Sequence, residues 1–192
     1  MAAKRVILAE DEALIRLDLR EALIEEGYEV VGEASNGADA VELARSLQPD
    51  VAILDIKMPE MDGLDAARQI VADRLCAVVI LTAFSQRDLI DQATDAGALA
   101  YMVKPYQQTD LVPTIELAVA RFRELVALSE QTQSLSDQLE TRKIVDRAKG
   151  ILMDVHELSE NQAFRFLQQT AMSSRSPMRN VAQQVIDGEL VP

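Results

Sequence analysis

Five short apolar runs, separated by longer stretches of mixed polarity, dominate the first part of the 192-residue sequence. The runs are RVILA, YEVVGEA, DVAILDI, AVVILTA and ALAYMVK. The intervening segments, such as LIRLDLREALIEE, have the apolar spacing of helices. Strands that alternate with helices form a parallel sheet covered on both faces, and VAILDI and AVVILTA are apolar throughout, as central strands must be. The alternation predicts an α/β domain built on a five-stranded, doubly wound parallel sheet.

Polar residues occupy the carboxyl ends of four predicted strands. They are Glu10-Asp11-Glu12, Asp55, Thr82 and Lys104-Pro105, in chain order. In a doubly wound sheet these ends open into one crevice, where ligands bind. Three crowded carboxylates repel one another unless a cation lies between them, and their oxygens suit Mg²⁺. A carboxylate can also attack phosphorus, while Lys104 and the Thr82 hydroxyl are suited to hold phosphoryl oxygens.

The N-terminal residues resemble a known family. Residues 3–123 are similar to the receiver domain of two-component response regulators, which has a flavodoxin-like fold. The matching pieces are the acidic pair Glu10-Asp11, DIKMPEMDG from Asp55 to Gly63, LTA ending in Ala83, and YMVKP from Tyr101 to Pro105.

This resemblance implies a phosphorylation site with Mg²⁺ as cofactor. Asp55 is expected to accept a phosphoryl group from a sensor histidine kinase. Asp11, Asp55 and the main-chain carbonyl of Lys57 are expected to bind Mg²⁺, with Glu10 supporting the ion through water.

The same resemblance implies how the phosphoryl group is sensed. Thr82 and Lys104 are expected to bind it, and Tyr101 is expected to turn inward on activation. A phosphoryl group adds about −1.5 to −2 of charge and strong acceptor oxygens. Movement of Thr82 and Lys104 towards it would bias a two-state surface made by the fourth helix and fifth strand.

The charge of the chain is unevenly distributed. Residues 1–125 hold 12 basic and 23 acidic residues, a net −11 of the total −13. Residues 126–192 hold 7 basic and 9 acidic residues, a net −2, and residues 141–180 alone hold 7 and 4, a net +3. An acidic part joined to a locally basic part indicates two separate roles.

A long helix is predicted after Pro105. Thr109 or Asp110 can cap it, Pro113 falls near its first turn, and no Gly or Pro follows until Gly150. A possible coiled-coil seam is formed by Leu128, Leu135 and Leu139. The polar stretch SEQTQSLSDQ makes a single solvated helix an equal alternative. We therefore predict a domain over residues 1–123, a helical linker with a possible short coiled coil over 124–140, and a second domain over 141–192.

Residues 141–192 predict a small, three-helix all-α domain. The first helix has an apolar arc of Ile144, Val145, Ala148, Ile151, Leu152 and Val155. A capping box of Ser159 and Gln162 begins the second, whose predicted core residues are Ala163, Phe164, Phe166, Leu167 and Ala171. Ser176 caps the third, with Pro177 at its first helical position and Gly188 at its end. This helix is predicted to bury Val181, Val185 and Ile186.

Basic side chains are concentrated on the other side of the first of these helices. They are Arg142, Lys143, Arg147 and Lys149, and Arg175 and Arg179 follow near the joint between the last two helices. A solvated helix face is the simple interpretation. In so acidic a protein, a basic cluster also suggests contact with nucleic acid phosphates.

Residues 138–187 resemble the ANTAR domain, the RNA-binding output module of transcription antiterminators. The matching pieces are Arg142, AKGILM from Ala148 to Met153, Ser159 with Ala163-Phe164, QQTAM from Gln168 to Met172, Arg175, and VAQQVI. The resemblance implies binding to paired stem-loops in nascent RNA, which prevents transcription termination and so affects the transcribing RNA polymerase indirectly. It also implies that phosphorylation favours a homodimer.

We expect the RNA contacts to come from Arg142, Arg147, Lys149 and Arg175, with Gly150 allowing close approach. Residues 141–192 contain no Trp or Tyr, and both Phe residues are assigned to the core. Proteins commonly read unpaired RNA bases by stacking and by contacts to base edges. Recognition is therefore expected to rely on Arg planes, main-chain groups and shape.

Other outputs are less well supported. A DNA-binding regulator needs a recognition helix, and SPMRNVAQQVIDGE offers only Arg179 and amides. A protein-interaction module is compatible with the net charge of −2 of residues 126–192. An enzymatic output is poorly supported, because these residues show no nucleophile–base pair. Cys76 is predicted to be a buried hydrophobe and His156 a helix-end residue. The sequence has no run of about 18 apolar residues, so no membrane span is predicted. With Cys76 as its single cysteine, we expect a cytoplasmic protein.

Overall fold

The structure is a computed structural model that describes residues 3–82 and 87–192. Its strands are β1 (Arg5–Ala9), β2 (Glu29–Ala34), β3 (Val51–Asp55), β4 (Ala77–Thr82) and β5 (Ala100–Val103). Its helices are α1 (Ala13–Glu25), α2 (Gly37–Leu47), α3 (Gly63–Ala72), α4 (Arg87–Asp95), α5 (Gln108–His156), α6 (Glu160–Ser174) and α7 (Met178–Ile186). The chain divides into two compact units, Met1–Ala127 and Leu128–Pro192.

The first unit contains the predicted doubly wound sheet. Its strand order is β2-β1-β3-β4-β5, and every neighbouring pair is parallel. The chain runs from β1 to β2 on one side and then crosses to β3 on the other. The carboxyl ends of β1 and β3 therefore flank the point where the winding direction reverses, which is where such sheets bind ligands. The predicted fold class is confirmed.

The two faces of the sheet bury separate core layers. Alternate residues of β3 point to opposite faces, with Ala52 and Leu54 in one layer and Val51 and Ile53 in the other. Helices α2, α3 and α4 cover the first layer, which includes Cys76, and α1 and the first turns of α5 cover the second. The prediction that Cys76 is buried is confirmed.

The second unit packs the C-terminal part of α5 against α6 and α7. Its buried core residues are Val145, Ala148, Leu152, Ala163, Leu167, Val181, Ala182 and Val185. Two residues predicted for this core are exposed instead: Val155 at 67% and Phe164 at 42%. Val155 lies in the last turn of α5, and Leu158 packs against the core where the chain leaves that helix. Phe164 lies about 100° around α6 from Ala163, and therefore on the flank of the buried stripe.

The helix ends follow the prediction in part. The side chain and main chain of Ser159 and Gln162 form the expected capping box, and His156 ends α5. Gly188 adopts a φ of +76° and closes α7 by donating its N–H to the carbonyl of Val185 (3.2 Å). The predictions of Ser176 as a cap and of Pro177 as the first helical residue are wrong, because no side chain caps α7 and the Ser176 N–H donates to the carbonyl of Ala171 just after α6. Helix α7 starts at Met178, with Pro177 as its N-cap.

Helix α5 is continuous for 49 residues, as the absence of breakers between Pro113 and Gly150 indicates. It begins at Gln108, and the Asp110 side chain accepts the main-chain N–H of Gln107 (3.2 Å). Pro113 lies in the second turn rather than the first and leaves the Thr109 carbonyl without its usual donor. The seam residues Leu128, Leu135 and Leu139 are exposed, which both a conditional coiled coil and a solvated helix require. Within the two described ranges, no helix is both long enough and apolar enough to cross a membrane.

Two glycines give a matched test of the packing in each unit. A Cβ added at Gly63 would lie 1.9 Å from the carbonyl oxygen of Asp55, whereas one at Gly150 meets nothing within 4 Å. Gly63→Ala should lower the free energy of unfolding of the first unit by about 1–3 kcal/mol. Gly150→Ala should stabilise the second unit by about 0.5–1 kcal/mol, since Ala favours helix. Urea unfolding measures both, and an unchanged stability of Gly63→Ala would contradict the packing of the loop after β3.

Candidate functional site

The polar residues predicted at the strand ends come together at the reversal point of the sheet. Glu10 follows β1 and Asp55 ends β3, and these strands are hydrogen-bonded neighbours. Thr82 ends β4, and its carbonyl accepts the main-chain N–H of Lys104 (2.7 Å), directly after β5. Glu10, Asp55 and Thr82 are buried, and Asp11 is exposed. The site is therefore a set of buried polar groups with an exposed carboxylate beside it.

Lys104 bridges the two buried carboxylates. Its Nζ lies 2.5 Å from Glu10 Oε2 and 2.6 Å from Asp55 Oδ1, and its side chain is 16% exposed. Charges at this depth are costly unless they are paired and hydrogen-bonded, so the ammonium stabilises both carboxylates. The bridge was not part of the sequence prediction, which assigned Lys104 only to the phosphoryl group.

The electrostatics of the bridge follow from burial and pairing. Burial raises the pKa of Glu10, and the nearby Asp55 charge adds to this, although the hydrogen bond from Lys104 opposes it. Burial lowers the pKa of Lys104, but its hydrogen bonds to Asp55 and Glu10 outweigh burial and leave that pKa raised. Lys104 therefore stays charged at neutral pH.

Asp55 is held by donors on both carboxylate oxygens. Oδ1 accepts from Lys104, and Oδ2 accepts the main-chain N–H of Lys57 (2.9 Å). The loop that follows is fixed by the N–H of Gly63, which donates to the carbonyl of Ile56 (2.9 Å). The phosphoacceptor candidate thus has a fixed orientation.

The acidic group has the composition of a magnesium site. Carboxylate oxygens of Glu10, Asp11 and Asp55 all lie within 4.8 Å of one another. Mg²⁺ prefers hard oxygen ligands and keeps several waters, so one exposed and two buried carboxylates fit it chemically. The main-chain carbonyl of Lys57 stays a predicted ligand.

The predicted switch residue Tyr101 lies away from this cluster. The Tyr101 side chain, on β5, is 44% exposed, and its inward turn on activation stays a prediction. It lines a cleft with Leu99, Leu117 and Arg121, beside α4 and α5. Ala83, the last residue of the LTA piece, lies outside the described residues.

The basic residues of the second unit fall on two flanks of α5. Arg142 and Lys149 are seven positions apart and share one flank, whereas Arg147 lies roughly 160° from Lys149. Lys149 Nζ lies 2.8 Å from Glu160 Oε1 and 3.1 Å from Asp146 Oδ1, and its side chain is 17% exposed. These hydrogen bonds, to Glu160 first and then to Asp146, raise the pKa of Lys149. The most enclosed basic residue of the predicted RNA surface is therefore already paired within the protein.

The other predicted RNA contacts are exposed or open to approach. Arg175 ends α6 in the left-handed region, with φ 52°, and its side chain is exposed. Gly150 has open space where a side chain would project. Arg179 pairs with Glu140 at 3.0 Å, which reduces the basic character of α7.

The sequence prediction missed the acidic partners and the exposure of Phe164. The spacing of Asp146 and Lys149, three residues apart on one helix, was a visible signal for the first pair. Glu160 belongs to another helix, so its pairing with Lys149 depends on how α6 packs against α5.

Comparison with known proteins matches both units to families. Residues 6–116 match the response regulator receiver domain, and residues 133–186 match the ANTAR domain. The transcriptional regulatory protein PdtaR of Mycobacterium tuberculosis is 55% identical over 184 residues, covering 96% of this chain and 90% of that protein. The chemotaxis protein CheY of Thermotoga maritima is 39% identical over 58% of this chain and 94% of its own length.

Solved structures share the fold of the first unit. The receiver domain of the putative response regulator NarL from M. tuberculosis has a TM-score of 0.60 and 31% identity, covering 62% of this chain and 98% of that domain. The receiver domain of the Pseudomonas aeruginosa sensor histidine kinase PA1611, solved with magnesium in its active-site cleft, has a TM-score of 0.56 and 25% identity, covering 62% and 99%. With both domains matched and a relative identical at 55% of 184 aligned positions, this chain belongs to the response regulators that combine a receiver domain with an ANTAR domain.

Proposed function

We propose that a sensor histidine kinase phosphorylates Asp55, and that the phosphorylated protein binds paired stem-loops in nascent RNA and prevents transcription termination. The observation that carries this proposal is the buried carboxylate pair bridged by Lys104, in a chain that also has an ANTAR domain. We further propose that the protein acts in the cytoplasm and affects RNA polymerase only through the RNA. The receiver, linker and ANTAR boundaries at 1–123, 124–140 and 141–192 belong to the same proposal.

The phosphotransfer step requires a lone pair on an Asp55 carboxylate oxygen, and each oxygen has a second lone pair beside the hydrogen bond it accepts. An oxygen of Asp55 attacks the phosphorus of a phosphohistidine, the P–N bond breaks, and its electron pair returns to the imidazole of the kinase. The product is an acyl phosphate on Asp55. Lys104 is placed to move from Asp55 to the new phosphoryl oxygens, and Thr82 ends the adjacent strand. Their charge-assisted hydrogen bonds would stabilise the group.

The donor set also supports a role for Mg²⁺. Asp11 and Asp55 would bind the ion with the Lys57 carbonyl, and Glu10 would act through water. When bound, the ion would neutralise negative charge on the phosphoryl oxygens. Support comes from the clustered oxygens of Glu10, Asp11 and Asp55, and from the magnesium in the cleft of the similar PA1611 receiver.

The link to the output runs through β5. Lys104 follows this strand, and Tyr101 lies three residues earlier on it. A Lys104 that moves towards a phosphoryl group would favour a different position of β5 and the inward turn of Tyr101. We propose that the changed surface of α4 and β5 favours a homodimer, with Leu128, Leu135 and Leu139 as a second, weak contact.

Pairing would raise the affinity for RNA by avidity. One ANTAR domain offers few cations, and Glu160 and Asp146 compete with a phosphate for Lys149. Two domains on one RNA make the second contact intramolecular, which can raise affinity by about 10² to 10⁴. The alternative of a DNA-binding regulator is further disfavoured. Arg179, the one cation of its candidate recognition helix α7, is paired with Glu140.

Treatment with a small phosphodonor and Mg²⁺ should add one phosphoryl group to the wild-type protein. Asp55→Asn should abolish this addition, because its amide is not nucleophilic towards phosphorus. Intact-mass measurement follows the reaction, with Asp50→Asn as a matched control in the same unit. Equal labelling of Asp55→Asn and wild type would contradict the assignment.

Lys104→Ala tests the bridge itself. Without Mg²⁺ it should lower the free energy of unfolding by about 3 kcal/mol, because two buried carboxylates lose their cation. Mg²⁺ should restore more stability to this variant than to wild type, because the ion replaces the missing positive charge.

Lys4→Ala is the control, since it breaks the more exposed pair with Glu116 and should cost at most about 1 kcal/mol. Urea unfolding with and without Mg²⁺ measures all three proteins. Equal losses in the two variants, with no recovery in Mg²⁺, would show that the bridge does not stabilise the site.

The phosphorylated protein should bind a two-hairpin RNA at least about a hundredfold more tightly than a one-hairpin RNA, since both domains are then engaged. Lys149→Ala combined with Arg175→Ala should remove most of this binding, whereas Arg165→Ala should not. Fluorescence anisotropy at fixed salt gives the affinities, and circular dichroism checks the fold. Equal affinity for one and two hairpins would disprove the pairing.

A further inference from the structure

Phe164 is an aromatic residue that lies outside the core cluster of the second unit. It is 42% exposed, whereas Phe166, two residues later, packs against the core of the second unit. The buried stripe of α6 is already supplied by Ala163 and Leu167. An exposed aromatic side chain on a small helical domain is a candidate contact for a ligand that offers a flat apolar face.

The position of Phe164 follows from the contacts of its neighbour. Residues four apart on a helix lie on the same side, so Glu160, Phe164 and Gln168 form one row along α6. Glu160 is ion-paired with Lys149 of α5. Helical side chains also lean towards the N-terminus, which tilts Phe164 towards the turn of Glu160. Phe164 therefore lies on the side of α6 that faces Lys149.

The adjoining side of α5 adds complementary groups. Arg142 lies seven positions before Lys149, and Met153 lies four positions after it and is 40% exposed. We refer to Arg142, Lys149, Met153, Phe164 and Gln168 together as the Phe164 flank. It combines one aromatic plane and a thioether with two cations and one amide.

We propose that Phe164 stacks on an unpaired base of an RNA hairpin loop, while Lys149 and Arg142 bind the neighbouring phosphates. This inference rests on the proposed RNA-binding function and names the part of the RNA that the flank reads. It replaces the expectation that recognition uses no aromatic side chain. Gln168, one turn beyond Phe164, is suited to hydrogen-bond a base edge.

The composition of the flank favours an unpaired loop over other partners. Bases within a duplex are already stacked on each other and offer no face to Phe164, whereas loop bases can be splayed out. A protein helix would need a continuous apolar stripe, but here each apolar residue lies beside a charged or amide side chain. Aromatic side chains between cations are the arrangement by which proteins bind single-stranded nucleic acid.

Lys149 connects this surface to the acidic residues around it. Its contacts with Glu160 and Asp146 keep it in place but also compete with phosphate. Glu160→Gln should therefore tighten RNA binding several-fold, because it removes a competing acceptor and a repelling charge next to Phe164.

Stacking can be measured directly with a fluorescent base. The probe is an RNA with two hairpins of fixed stems, whose loop sequence the wild-type protein selects from a randomised pool. The fluorescent adenine analogue 2-aminopurine then replaces each loop nucleotide in turn, because stacking quenches its emission. The phosphorylated full-length protein should quench one loop position strongly, and Phe164→Tyr should do the same.

Phe164→Leu should lose this quenching and bind the RNA about ten- to a hundredfold more weakly, the range expected for one stacked base. Val191→Ala is the control, since it removes an exposed apolar side chain of the same unit outside α5 and α6 and should bind normally.

Each outcome has one meaning. Failure of the wild-type protein to select any hairpin would overturn the RNA-binding function and this inference with it. Selection of a hairpin that Phe164→Leu binds as tightly, with the same quenching, would overturn only the inference. A wild-type complex without a quenched loop position overturns stacking even if Phe164→Leu fails to fold. Weaker binding by Phe164→Leu, with no quenched loop position in the wild-type complex, would indicate that Phe164 has a structural role or contacts protein. That result would also overturn the inference.

Discussion

The ammonium group of Lys104 between Glu10 and Asp55 is the interaction on which the proposed activity depends. It allows two carboxylates to be buried at the reversal point of the sheet, where a doubly wound fold binds its ligands. The same group that stabilises the unmodified site is the one that phosphorylation would attract. Lys104 follows β5, and its main-chain N–H is hydrogen-bonded to the carbonyl of Thr82 in β4. A change in the partner of its side chain would therefore affect both strands.

The second unit repeats this use of paired charges. Lys149 is enclosed by Glu160 and Asp146, just as Lys104 is held by Glu10 and Asp55. In both places a basic side chain is positioned by acidic neighbours, which it would exchange for phosphate oxygens in the proposed function. Such exchange would make binding weaker than an unpaired cation would give, which is why the proposed function relies on a second copy of the domain. Helix α5 contributes residues to the cores of both units, including Leu111 in the first and Leu152 in the second.

The sequence was sufficient where a pattern has one physical solution. Apolar strands alternating with helices fix a parallel sheet, and its topology gathers the strand-end residues Glu10, Asp55 and Lys104 without further information. It was insufficient at the margins of helices. A period of 3.6 residues gives the centre of a buried stripe but not its width, so Val155 and Phe164 were misassigned to the core. The width depends on which neighbouring helix covers each flank, as does the pairing of Lys149 with Glu160.

In the proposed function, occupation of the Asp55 site and binding of RNA are coupled. Coupling between two sites is reciprocal, so each ligand must change the affinity for the other by the same factor. The most direct measurement is the affinity of the full-length protein for beryllium fluoride with Mg²⁺, a phosphoryl mimic, determined by calorimetry with and without saturating two-hairpin RNA. Coupling predicts that the mimic binds more tightly in the presence of RNA, by the same factor by which the mimic tightens RNA binding. An affinity for the mimic that RNA leaves unchanged would contradict it.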